Sequence, residues 1–355
     1  MNIKAEDSEQ VEILFNEKQK NTITYSKSMF CLLTKQRPSD YAISFTNNKI
    51  KNELLVPYTV IKKAKIAKEQ NVKEIVLLAS ERPDRNTNIR STLDLWGLSS
   101  YIEYLYTTSE LSFLEGLTPI FEGGFLSLAE LKRISEMLAF IKLLLPSSQL
   151  SHYEKLYGKK NAKKYFDIRL KMLEWSGKLN IPIITGLIIS DSETDSQINQ
   201  TIDILINHQK EFNNIHSISI QAEALFSTGK LTKKTDTSLL KAIKYIQSQN
   251  IDVTLSTCPI HLNNITPFLD LGITDFGSIP INPQILFPNA PEINFDELEN
   301  QVSSHGFQLK QRLPIKYDFI KNGLYSKKLG QVFDSYKYKI KKYEQELNKE
   351  TKLKQ

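Results

Sequence analysis

From residue 74 to residue 279, short apolar runs rich in β-branched residues alternate with longer amphipathic stretches, and this alternation limits the possible folds more tightly than any other feature. The runs are "EIVLLAS" (74–80), "FIKLLL" (140–145), "IPIITGLII" (181–189), "SISIQAE" (217–223), "DVTLST" (252–257) and "DFGSI" (275–279), each short enough to be a buried strand. Between them lie "NIRSTLDLWGLSSYIEYLY", "LSLAELKRISEML", "NAKKYFDIRLKMLEWSGK", "SQINQTIDILINHQKEF", "DTSLLKAIKYIQSQ" and "HLNNITPFLDLG". Their apolar residues recur every three or four positions, as at Ile198, Ile202 and Leu205, which is the spacing of one helix face. Strand and helix in regular alternation predict parallel strands joined by right-handed crossovers. Gly177 and Gly272, each after a helical stretch, read as helix C-caps.

Two architectures satisfy that pattern, a doubly wound sheet and a barrel. The first usually carries a glycine-rich phosphate loop, and the chain has neither G-x-G-x-x-G after its first clear strand nor a P-loop. The expectation is therefore a single α/β domain, a complete or partial barrel of parallel strands over residues 23–325, with a short head (1–22) and a charged helical tail (326–355). Chemistry in barrels sits at the carboxyl ends of the strands. There the sequence offers Glu81 and Arg82, Ser190 to Thr194, Gln221 with Glu223, and Cys258, a mixture that points to a polar ligand pocket.

Charge narrows the choice of partners. The formal net charge is +6, but residues 326–355 hold nine lysines against four acids and so account for +5 of it. The body is close to neutral, no nucleic-acid fold motif accompanies the basic tail, and a solvated terminal helix explains its mixed charges. The first twenty residues have no apolar core behind a basic start, and no run approaches the roughly 18 apolar residues of a membrane span. The reading is a cytoplasmic protein without a membrane partner.

The usual catalytic constellations are missing. The five histidines form no H-E-x-x-H pair, and there is no G-x-S-x-G elbow. Cys31 and Cys258 are the two cysteines, too few and too far apart for a disulfide framework or a metal-binding pair. Cys31 lies in a strand-like stretch, as an ordinary buried thiol would. Cys258, three residues before His261 in "STCPIH", leaves open an activated thiolate.

Six further segments carry a family resemblance. They are "YSKSMFCLLT", "SERPDRNTNIRSTLDLWGLSSYIEYLY", "IRLKMLEWSGKLNIPIITGLII" followed by "SET", "LDLGITDFGSI", "FPNAPEINFDELENQVSSHGF" and "QRLPIKYDFI". In this order and at these distances the chain resembles, from about Thr24 to Ile320, the radical S-adenosylmethionine (SAM) enzymes of coenzyme F420 biosynthesis, specifically the deazaflavin (FO) synthase subunit that closes the ring. The resemblance implies a radical-SAM-type barrel, SAM and a four-iron, four-sulfur cluster as the family's cofactors, and a sister FO synthase subunit as partner.

In that family a loop after the first strand carries C-x-x-x-C-x-x-C, because three thiolates must hold the iron through one-electron reduction. Read forward from Thr34, the three positions fall on Arg37, Tyr41 and Ser44, and shifting the register by one residue supplies no cysteine. The resemblance further assigns Glu81, Arg169, Glu193, Thr194 and Gln221 to the SAM or substrate pocket. Ser80, Ser190 and Ser192 stand where the family has glycines that let a nucleoside approach the backbone. Three readings follow. One is a cluster-less pseudoenzyme acting as partner or regulator of the sister subunit or of an intact paralogue. The second is a working ring-closing lyase. The third is a barrel repurposed for non-radical chemistry with Glu81, Glu193 or Glu223 as acid or base.

Overall fold

The computed structural model of the chain describes residues 21–34, 53–79, 82–227, 231–287 and 290–353. Nine strands lie in one sheet: β1 (Thr22–Leu32), β2 (Glu74–Leu78), β3 (Thr118–Glu122), β4 (Phe140–Lys142), β5 (Ile183–Ile189), β6 (Ile215–Ala222), β7 (Leu255–Ser256), β8 (Asp275–Pro280) and β9 (Gln308–Gln311). Every pairing between them is parallel. The order runs β2 through β8 and on to β1, and β1 pairs with β2 as well, so eight strands close into a barrel.

Closure falls on β1, the longest strand. Thr24 to Ser28 pair with β8, and Ser28 to Leu32 pair with β2. Below β2, along the same edge, β9 pairs with Thr22 to Tyr25. Strands β2, β3 and β5 are buried at every position, because helices cover one face and the lumen closes the other, and β2 after Glu74 and β5 accordingly read as apolar runs. β3 and β9 correspond to none of the apolar runs read from the sequence. β3, "TPIFE", contains a proline and an acid, and β9, "QLKQ", is mostly polar.

The turns into the strands share one device. Asn21, Asn71, Asn180, Asn213 and Asn250 adopt positive φ immediately before or within a few residues of β1, β2, β5, β6 and β7. Gly116, Gly272 and Gly306 do the same before β3, β8 and β9. Asparagine and glycine tolerate the left-handed region at least cost. Gly272 is thus the C-cap expected of it, but Gly177 is not. It lies inside the helix Lys159–Lys178, where a Cβ would stand 2.2 Å from the Phe212 ring; it is there for close packing, and Asn180 turns the chain.

Two further expectations need adjusting. The stretch 261–272 is helical only over Thr266–Asp270. The tail forms one helix, Gly330–Leu353, whose first half is seated on the body by buried Phe333 and Ile340, with buried Leu329 just before it, and so is more than a solvated appendage. Among the described residues no helix is long and apolar enough to cross a membrane.

Candidate functional site

The lumen departs from the branched aliphatic filling typical of such barrels. Its upper half is lined by Glu122, Lys142, Ser217, Ser219, Gln221, Ser256 and Cys258, with Phe30, Leu286 and Phe287 toward the mouth and Arg312 toward the floor. The polar side chains point inward through the two-residue alternation of β3, β4 and β6.

An ion pair stands at the carboxyl ends of β3 and β4. Lys142 Nζ donates to Glu122 Oε2 at 2.8 Å, with the side chains 16% and 3% exposed. Burial raises the Glu122 carboxyl above its ordinary range, against the pull of Lys142. Across the lumen, Gln221 Nε2 donates to Ser219 Oγ at 3.3 Å. His261 Nδ1 accepts from the Ala222 amide at 3.3 Å, and burial, helped by Lys142, pushes its pKa down to about 3. Burial also pushes the Cys258 thiol up to about 12. A neutral imidazole and a protonated thiol make no thiolate pair, so the activation left open for Cys258 and His261 is not built here. Asn282 holds the mouth: its side chain accepts from the Phe30 amide (2.8 Å) and donates to the Phe30 carbonyl (2.9 Å), tying the end of β1 to the chain after β8.

The floor is a second charged layer. Arg312 grips Asp275 with both nitrogens, Nε to Oδ2 at 2.7 Å and Nη2 to Oδ1 at 3.2 Å, and both side chains are 2% exposed. Lys316 Nζ lies 3.6 Å from the same carboxylate, and Thr24 Oγ1 donates to it at 3.1 Å. Burial alone would raise the Asp275 carboxyl, but Arg312 and Lys316 prevail and hold it below the usual range. Two of the segments that carry the family resemblance, "LDLGITDFGSI" and "QRLPIKYDFI", therefore meet in one buried ion pair.

At the rim, the residues assigned from the sequence have different surroundings. Glu193 accepts from the Ser147 hydroxyl and from the Ser190 amide, the latter at 3.1 Å. Its carboxyl is raised by burial first, with Glu223 adding to the effect. Thr194 turns the other way and is exposed. It is the N-cap of the helix Asp195–Phe212, in a reciprocal capping box with Gln197. Arg169 is 6% exposed. It donates Nη1 to the Leu144 carbonyl at 2.9 Å, lies over the Phe125 ring, and burial brings its pKa down to about 9. Among the described residues, Gln221 is the one assigned residue that lines the lumen cavity. Arg82, at φ +46, forks onto Glu130 (2.8 and 2.9 Å) and Asp84, fixing the chain after β2. Glu81, Arg37, Tyr41 and Ser44 lie outside the described residues.

Sequence reasoning passed over Glu122, Lys142, Asp275 and Arg312. The signal was present at Lys142, a lone charge inside the apolar run "FIKLLL", because a charge in a buried strand needs a partner.

The two cysteines do not fit the three-thiolate set that the family resemblance implies. Cys31 is fully buried in β1, opposite Leu77 of β2, with its pKa pushed up to about 12 by burial. Cys258 lines the lumen just after β7, with β8 between that strand and β1. They are two in number, one in β1 and one in the turn after β7, and burial raises the pKa of both thiols.

No family model matches the chain. Among curated proteins it is 29% identical over 324 residues to the 7,8-didemethyl-8-hydroxy-5-deazariboflavin synthase of Methanococcus aeolicus, covering 88% of this chain and 90% of that one. It is 29% identical over 305 residues to the synthase of the same name from Methanothermobacter thermautotrophicus, covering 84% and 93%. Among solved structures, the FeFe-hydrogenase maturase HydG from Carboxydothermus hydrogenoformans superposes with a TM-score of 0.62 at 15% identity, over 87% of this chain and 73% of that one. Methylornithine synthase (PylB) gives 0.55 at 12%, over 85% and 88%. At such identities the structural likeness speaks for the fold.

Proposed function

From the premise that this chain is a homologue of the 7,8-didemethyl-8-hydroxy-5-deazariboflavin synthases built on the radical-SAM-type barrel, we propose that it has left radical chemistry and acts as a non-catalytic partner or regulator of an FO synthase subunit or an intact paralogue. The observation that carries this reading is the cysteine inventory: two thiols in 355 residues, one buried within β1 and the other half-buried just after β7, where family chemistry asks for three on one loop. Thiolate ligands are what a reducible iron–sulfur cluster requires, and arginine, tyrosine and serine at positions 37, 41 and 44 supply none.

In this reading the fold is kept because its surface and lumen still serve recognition. The floor pair Asp275–Arg312, the capping boxes and the left-handed asparagines all serve the scaffold, while the seryl residues at 190 and 192 hydrogen-bond each other across 2.9 Å in the turn where family members are glycine-rich. No step through a cluster is assigned to these residues.

Anaerobic reconstitution with iron and sulfide, followed by visible and EPR spectroscopy and an assay of SAM cleavage, tests the proposal. The expected result is no stoichiometric cluster and no 5′-deoxyadenosine. A protein that binds one cluster per chain and cleaves SAM is a working lyase, and the reading fails.

A further inference from the structure

At the amino ends of β4 and β5, on the face opposite the lumen mouth, three connections leave a groove of about 610 Å³ between them, within the rough range of 300–1,000 Å³ for ligand pockets. They are the end of the helix Leu128–Ser135, the turn from the helix Lys159–Lys178 into β5, and the link from the helix Tyr317–Asn322 to the tail helix Gly330–Leu353. Two of these walls are locked in place. Asn180 turns in the left-handed region, and the Ile181 amide donates to the Ser176 carbonyl at 2.9 Å. Gly323 turns the same way, the Leu324 amide donates to the Phe319 carbonyl at 2.8 Å, and the Tyr325 hydroxyl donates to Asp334 at 2.7 Å. A preformed wall spares a ligand the cost of ordering it.

The lining is aliphatic and basic. Buried Leu138 and Ile181 and half-buried Leu179 and Leu324 supply apolar surface. Lys132, Lys327 and Lys328 line the same groove and are exposed, and none has an acidic partner among the described residues. The one acid in the lining, Glu136, is already met by Arg133 Nη1 at 2.8 Å. Lys132 lies in the last turn of its helix, where the dipole favours a cation, but Lys327 and Lys328 come just before the start of the tail helix, the end that favours anions. The fold itself gives those two charges no favourable site. Charge complementarity therefore asks for carboxylates, and the lining asks for aliphatic side chains beside them. Nucleic acid supplies the first without the second, and its bases stack on exposed rings; the ring in this lining, Tyr325, is half-buried with its hydroxyl held by Asp334.

We propose that this groove is a docking site for a segment of a partner protein that carries acidic residues beside an aliphatic anchor, the anchor entering between Leu138, Ile181 and Leu324 and the carboxylates pairing with Lys327, Lys328 and Lys132. The proposal deepens the partner reading given above by naming the surface, and a partner seated there leaves the lumen mouth open on the other face. Spectroscopy that found a cluster would overturn the non-radical reading and leave the groove in place. Failure of docking would leave the cysteine argument as it stands.

The probe is a fluorescein-labelled peptide of repeating Glu-Leu-Leu-Asp units. Its comparators are Glu-Ser-Ser-Asp repeats, which keep the charge without the anchors, and Lys-Leu-Leu-Lys repeats, which keep the anchors and reverse the charge. Fluorescence anisotropy with the full chain measures all three. The expected result is saturable binding of the first and affinity weaker by about tenfold or more for the other two, since anchors and charge pairing each carry part of such an interface. The double variant Lys327→Ser/Lys328→Ser alters two exposed side chains; it should keep its melting temperature and bind the acidic peptide about tenfold more weakly, a difference that narrows in about 0.5 M salt. No saturable binding, equal binding of either comparator, or unchanged affinity of the folded variant would each overturn the proposal. Tighter binding of a single-stranded oligonucleotide, or a wild-type dimer in sedimentation that the variant abolishes, would assign the groove to nucleic acid or to a second copy of this chain and overturn it as well. If the variant does not fold, the comparison of peptides on the wild-type protein still decides.

Discussion

Glu74 opens β2 with no exposed surface, beside the hydroxyl of Ser26, which donates to Oε2 at 3.0 Å. Burial raises its pKa to about 7, although Ser278, Arg312, Ser26 and Lys142 all pull the other way. The consequence for stability has a definite sign. Between roughly pH 4.5 and 7 the folded chain keeps a proton that the unfolded chain has released, so this residue's contribution falls as pH rises through that window and is flat beyond it. The full difference is at most about 3 kcal/mol. Glu74→Gln removes the titration while keeping a hydrogen-bonding side chain. Urea unfolding at pH 5 and pH 8 should show the variant gaining about 1–3 kcal/mol on the wild type at the higher pH and little at the lower; equal gains at both would assign the pKa shift elsewhere.

Elements were more legible than the residues between them. Strands β2, β5 and β6 and the helices that follow them stand out in the sequence because burial on both faces leaves nothing but apolar periodicity to read. β3 did not, since Pro119 and Glu122 break its run, and the reason for the break is that Glu122 belongs to the lumen. The residue that hid the strand is part of the site. β5 and β6 also show how an element's composition answers to its neighbour. Gly186 pairs with Ser219, and a Cβ there would come within 1.8 Å of the Ser219 carbonyl oxygen, a clash with backbone that no rotamer relieves. Gly272 has open space around its Cβ position and needs only its left-handed φ. Gly272→Ala should therefore cost about 1 kcal/mol, and Gly186→Ala clearly more, about 3 kcal/mol or above. Thermal unfolding of the two variants in parallel reads the difference, and a Gly186→Ala protein as stable as Gly272→Ala would mean that β5 and β6 separate without penalty.

For the whole molecule, the alternation of runs pointed to a barrel, and the family segments to which barrel. What the chain could not disclose was which distant residues meet. Asp275 and Arg312 lie in two recognisable segments, yet only the closed sheet shows that they satisfy each other in the floor. Removing one partner strands a buried charge, so Asp275→Asn should cost about 3–5 kcal/mol, whereas Asp275→Leu with Arg312→Met should recover most of that loss. A double-mutant cycle by chemical denaturation measures it, and full additivity would show that the pair is not coupled. The rim was legible only in part for a related reason. Glu193 and Thr194 are adjacent in sequence, but the start of a helix turns one toward the site and uses the other as a cap.

The strand that closes the barrel also sets a timetable. β1 is made first, and its upper edge finds β2 within about fifty residues, but its other neighbours, β8 and β9, begin at residues 275 and 308. A nascent chain emerging from the ribosome therefore carries an unsealed first strand through nearly the whole of its synthesis. Such distant pairings are slow to form. The unpaired edge of β1 is the surface that a growing chain would most need to have shielded, and a fragment ending before Gln308 would lose both the last strand and the cation that locks the floor.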